Sequence, residues 1–166
     1  MLTRQRADEI FSKVLKYSTA DETEAIIGSA VYSLTRFANN IIHQNVAEEG
    51  VSLSVRAVMD HRTARASTNK LDEASVRQVC ESAMALARLQ SPDRELLRMP
   101  GPQMFRGVDR FYGETAALTP QARAETVRKV IARAEKDNLT AAGVYSSGAS
   151  ATGLFNSRGL AAFHEE

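Results

Sequence analysis

Cysteine is nearly absent: 166 residues contain one, Cys80, which excludes an internal disulfide and any zinc site built from several cysteines. That usage fits a reducing, cytoplasmic setting. There are three histidines, His43, His61 and His164, and none has a second ligand-type residue at helical ligand spacing, so no metal site is expected within this segment. No excess of one charge exists either. With 21 basic and 20 acidic residues the net charge is +1, which leaves nothing in bulk to neutralise phosphates, and nucleic acid is not an expected partner. No run approaches the ~18 apolar residues of a membrane span, and no charged-then-apolar signal pattern opens the chain. Glycine-rich phosphate loops of the GxGxxG or Walker type are also missing, which argues against nucleotide binding.

The residues that are present describe an ordinary folding chain. Hydrophobic residues make up 43% and charged residues 25%, enough for one domain over residues 1–166 with a real core. Ala7, Ile10, Phe11, Val14 and Leu15 recur at helical spacing, which predicts an amphipathic helix over residues 3–17. Residues 23–68 change to short β-branched and aromatic runs, clearest where Val51, Leu53, Val55 and Ala57 alternate with Ser52, Ser54 and Arg56. Asp60-His61 lies between two such runs and predicts a tight hairpin.

A second helix follows, capped by Asp72, stapled by Leu71 and Val76, and apolar along Val79, Cys80, Ala83, Leu86 and Ala87. Residues 91–118 hold three of the four prolines with Gly101, Gly107 and Gly113, and predict a long surface loop. Thr119 and Pro120 open another helix with a stripe of Val127, Val130, Ile131 and Ala134. Short strands punctuated by glycine then fill residues 140–163. The predicted fold is α+β in two layers, helices packed on one face of a mostly antiparallel sheet.

Complete catalytic motifs do not appear. His164-Glu165 begins like a zinc-peptidase motif, but it follows an alternating stretch that favours strand, and no second histidine comes after it. Cys80 falls on an apolar helix stripe, where cysteine behaves as a small hydrophobe. Ser146-Ser147-Gly148 and Ser67-Thr68-Asn69 have the composition of turns. Arg56, Arg62 and Arg65 surround the hairpin and could form a patch for a peptide carboxylate, although the sequence favours an ordinary solvated strand face.

Several short motifs, in collinear order, carry a family resemblance. They are Arg36-Phe37-Ala38-Asn39-Asn40 with Gln44, then Val55-Arg56 with Ala66-Ser67-Thr68-Asn69, the segment from Ala83 and Ala87 to Ser91-Pro92-Asp93, and finally Asn156-Ser157-Arg158-Gly159. Together they resemble the N-terminal domain of the TldD/PmbA family, once called modulators of DNA gyrase and better described as metallopeptidase subunits. Where that family commonly has glycine in or after the hairpin, this chain has His61 and Ala64.

The resemblance implies a cytoplasmic homo- or heterodimer with a TldD/PmbA-type subunit, enclosing a cavity in which unfolded peptides are cleaved. It places the zinc-binding HExxxH helix in a C-terminal domain that this sequence lacks, so the chain is expected to be a fragment of a longer one. Within the segment it implies no catalytic residue, no metal ligand and no cofactor, and hence no activity alone. A strand edge can hold an extended peptide by main-chain hydrogen bonds. The candidate peptide or interdomain contacts are Arg36, Asn39, Asn40, Gln44 and Arg56. The alternative function is a stand-alone, partner-binding regulatory module of the gyrase-modulator kind, with no enzymatic activity.

Overall fold

The computed structural model describes residues 1–166. Helix α1 spans Arg4–Tyr17, and its start is set by Thr3, whose hydroxyl accepts the Arg6 N–H at 3.2 Å. It buries Ala7, Ile10 and Val14. Strands β1 (Glu22–Ala38), β2 (Ile41–Met59) and β3 (Arg62–Thr68) then run as a meander joined by two-residue turns. Both turn pairs sit in the left-handed region: Asn39 and Asn40 at φ 50° and 61°, Asp60 and His61 at 50° and 59°. Two consecutive positive φ values define the type I′ hairpin, whose twist matches that of the strands it joins. The hairpin expected at Asp60-His61 is therefore formed, with histidine in the place glycine would occupy most easily.

The strands are longer than the sequence suggests. β1 and β2 run for 17 and 19 residues without interruption. Polar residues on an exposed face do not end a strand, so a break in apolar alternation was no break in structure.

Helix α2 (Glu73–Arg88) is capped by Asp72, which accepts the Ser75 N–H at 3.0 Å. Its buried stripe takes Met84 in place of the expected Leu86, which is 42% exposed. Residues 91–118 contain only the single-turn helix α3 (Gly113–Ala116). Helix α4 (Pro120–Lys136) is capped by Thr119 and buries Arg123, Val127 and Ile131, leaving Val130 exposed, contrary to the predicted stripe. β4 (Gly143–Asn156) and β5 (Ala161–Glu165) close the chain. Ser146-Ser147-Gly148, expected as a turn, lies inside β4. Ser67 and Thr68 likewise close β3 rather than forming a turn, with Ser67 Oγ donating to Ser54 Oγ at 2.8 Å.

The five strands form one antiparallel sheet in the order β3-β2-β1-β4-β5, and with the helices this is an α+β fold. The chain separates into two compact units, each with its own core. The first comprises Met1–Ser29, Gly50–Asp109 and Ala151–Glu165; the second comprises Ala30–Glu49, Arg110–Ser150 and Glu166. In the first, α1 and α2 lay Ile10, Val14, Val76 and Cys80 over Ala25, Ile27, Leu53, Val55, Ala151 and Phe155 from three strands. The inward residues sit two or four apart along each strand, as the pleat requires. In the second, Val127 and Ile131 of α4 pack on Phe37, with Ile42 and Ala141 beside them.

Candidate functional site

Four of the five candidate contact residues lie in the second unit. Asn39 and Asn40 form the β1–β2 turn. Asn40 also binds the segment before β4 on three atoms: its side chain accepts the Ala141 N–H at 2.7 Å and donates to the Leu139 carbonyl at 3.1 Å, while its backbone N–H reaches the Ala141 carbonyl at 3.3 Å. An amide group thus continues a main-chain ladder where no strand runs. Arg36 donates to Gln44 Oε1 at 3.3 Å across the exposed β1–β2 pair. Asn39 and Gln44 are exposed, whereas Asn40 is half-buried.

Sequence reasoning missed Arg123 in this unit. It is 1% exposed, donates to the Leu118 carbonyl at 2.8 Å and to Asn45 Oδ1 at 3.4 Å, and has no carboxylate beside it. Asn45 Oδ1 also accepts from the buried Thr35 hydroxyl at 3.2 Å. The available signal was spacing: Arg123, Val127 and Ile131 lie four apart, which puts an arginine on the apolar stripe of α4.

Arg56, the fifth candidate, lies in the first unit and donates to Glu24 at 3.1 Å. Arg65, its cross-strand partner in the β2–β3 register, binds the other oxygen of the same carboxylate. Arg62 instead binds Asp60 at 2.6 Å and the Gln90 carbonyl at 3.1 Å. The three arginines are thus engaged by carboxylates of the chain and do not form an open cationic patch.

The Asn156-Ser157-Arg158-Gly159 motif has an evident structural task. Asn156 accepts the N–H groups of Arg158 and Leu160 at 2.9 and 3.1 Å, closing the turn, and donates to the Pro100 carbonyl at 2.9 Å. Gly159 has a φ of 93°, and a Cβ there would stand 3.2 Å from Pro102. Arg158 reaches Glu22 at 3.1 Å, and the same carboxylate accepts the Met99 N–H at 2.8 Å and Arg98 at 3.3 Å. Burial raises the Glu22 pKa, but the bonds from Met99, Arg158 and Arg98 outweigh it and hold the carboxyl below the ordinary range. Motif and carboxylate together anchor residues 98–102 of the long loop.

Beside this anchor a recess of about 280 Å³ is lined by Asp21, Glu22, Asp60, His61, Leu97 and Arg98. Each of its carboxylates is engaged: Asp21 accepts the Asp60 N–H at 2.7 Å, Asp60 accepts Arg62, and Glu22 holds the loop. The recess holds the hairpin tip in place, and its carboxylates are all committed to bonds within the chain. Nowhere do three His, Cys, Asp or Glu side chains gather in a way that could hold a metal ion. Cys80 is fully buried, and burial pushes its thiol up to about 11, leaving no thiolate to act as a nucleophile at neutral pH.

What the arrangement offers is backbone. β3 pairs with β2 only from Leu53↔Thr68 onward, and β5 pairs with β4 only over Ala151 to Phe155, extended by the mutual bonds of Ser150 and Glu166. In the second unit, residues 41–49 of β2 and 143–149 of β4 therefore each present an outer edge with no strand on it.

Solved structures share this fold. They include TldE from Thermococcus kodakarensis, with a TM-score of 0.83 and 23% identity, covering 96% of this chain and 36% of that one. A candidate DNA gyrase modulator from Thermotoga maritima matches with a TM-score of 0.81 and 15% identity, over 96% of this chain and 37% of that one. Another from Bacteroides thetaiotaomicron matches with a TM-score of 0.78 and 18% identity, over 99% of this chain and 39% of that one. The chain thus spans well under half the length of each. No curated protein matches it. Residues 23–87 match the family model of PmbA/TldA metallopeptidase domain 1. That match covers the hairpins and most of α2, and over those residues the chain is similar to the PmbA/TldD family.

Proposed function

We propose that this chain is the non-catalytic first domain of a TldD/PmbA-type zinc metallopeptidase, holding an unfolded peptide by its main chain and shaping the cavity in which a partner domain cleaves it. One observation carries the reading: the second unit exposes two strand edges, at residues 41–49 and 143–149, with no strand paired to either. An extended peptide added to such an edge gains main-chain hydrogen bonds whatever its side chains, which suits a substrate class defined by being unfolded. A folded protein offers strands for such pairing only at the edges of its own sheets. Zinc and the reacting groups belong, on this reading, to other residues of the full protein, and the dimer with a TldD/PmbA-type subunit brings them to the peptide in a cytoplasmic setting.

Two measurements test it. Fluorescence anisotropy should show the chain binding a reduced, carboxymethylated polypeptide and ignoring the same protein folded; equal binding of both, or of neither, overturns the peptide-holding role. Reading the native coding frame past codon 166 tests the rest. A continuing frame with a helical HExxxH segment supports the metallopeptidase, and a natural stop codon leaves a partner-binding module of the gyrase-modulator kind as the better account.

A further inference from the structure

The two open edges of the second unit differ in charge. Residues 143–149 carry none. Residues 41–49 carry Glu48 and Glu49 with no lysine or arginine among them, and neither carboxylate enters an ion pair. All but Ile42 and Val46 are exposed, so both the edge and its side chains face solvent. A bare edge is a template for another strand, and charge on it is a usual defence. Here the defence is of one sign. A second copy added in parallel register would bring carboxylate onto carboxylate, which disfavours that self-pairing, whereas opposite charges across a strand pair attract.

We propose that residues 41–49 of β2 take up an extended peptide segment rich in lysine or arginine, added as a strand with its cations against Glu48 on one face of the sheet or Glu49 on the other. The proposal rests on the peptide-holding reading and narrows it to one edge and one charge class. Main-chain bonds supply the tolerance for sequence, and the two carboxylates supply the preference. The β4 edge, without charge, selects nothing by sign.

The test uses the 166-residue chain and four fluorescein-labelled decapeptides of alternating pattern: one with lysine at every second position, one with threonine, one with glutamate, and the lysine peptide N-methylated on alternate amides. At low salt the lysine peptide should bind about tenfold more tightly than the threonine peptide, and the glutamate peptide more weakly than either. The double variant Glu48→Lys with Glu49→Lys should reverse that order, while Glu135→Lys on the exposed face of α4 should leave it unchanged. N-methylation should abolish binding. A basic preference that survives in the double variant overturns the proposal, and so does a lysine peptide indifferent to N-methylation. Sedimentation showing a dimer that dissociates on the double substitution also overturns it, because the edge then belongs to a second copy. If all three unmethylated peptides bind equally, this inference fails and the peptide-holding reading stands; if none binds at any charge, both fail.

Discussion

The carboxylate of Glu22 accepts the backbone N–H of Met99 at 2.8 Å, joining the start of β1 to a loop 77 residues later. Arg98 and Arg158 bind the same group, and Met99 is 3% exposed. A loop that otherwise lies on the surface is thus fastened at one buried point.

Glu22→Gln removes the charge from that point and keeps its shape. The variant should lose about 1–3 kcal/mol of unfolding free energy near pH 7 in urea titrations, since charged hydrogen bonds are lost and a guanidinium is left without its partner. The pH dependence follows from the depressed carboxyl. Its folded pKa lies below the unfolded value of about 4.3, so its stabilisation is complete above that value and disappears as pH falls through the folded pKa. Wild type should lose stability more steeply than the variant below about pH 4. Parallel acid limbs would show that the Glu22 charge is not what holds the loop.

Asn40 performs two tasks that two substitutions separate. Asn40→Gly keeps the positive φ and loses the side-chain bonds to Leu139 and Ala141, which should cost about 1 kcal/mol. Asn40→Ala loses the bonds and also strains the backbone, adding about another 1 kcal/mol. Equal unfolding midpoints for the two variants would mean that the turn carries no strain.

At the other hairpin, His61 holds a φ of 59° with no side-chain hydrogen bond in return. His61→Gly should raise stability by about 0.5–1 kcal/mol and increase Tm, as glycine suits the second place of a type I′ turn. A lower Tm would reveal a packing role for the imidazole.

Gly153 lies on β4 where a Cβ would stand 2.5 Å from the Phe155 ring and 3.3 Å from Ala7 Cβ. Phe155 is itself stacked on Phe11 at 5.2 Å, so the ring has little freedom to retreat. Gly153→Ala should destabilise the first unit by about 1–3 kcal/mol, seen in thermal unfolding. An unchanged Tm would show that the ring can move.

Cys80 should resist a thiol reagent at pH 7 in the native chain and react at once in denaturant, because burial both shields it and raises its pKa to about 11. Native reactivity at the rate of a free thiol would mean that α2 opens readily.

The helices were legible in the sequence because their causes are local: Thr3, Asp72 and Thr119 cap the turn that follows each, and a 3.6-residue period marks the buried stripe. The Asp60-His61 hairpin was legible for a similar reason, and the family resemblance rested on short motifs whose order survives in the sequence alone. Only the tertiary structure decided the lengths of β1, β2 and β4, since a strand continues through polar residues when a neighbour supplies its hydrogen bonds. It alone turned Arg56 and Arg65 toward one carboxylate, buried Arg123 on an apolar stripe, and left the outer edge of residues 41–49 without a strand. Each of those outcomes depends on groups far apart in the chain being brought together or kept apart, and no local pattern contains that information.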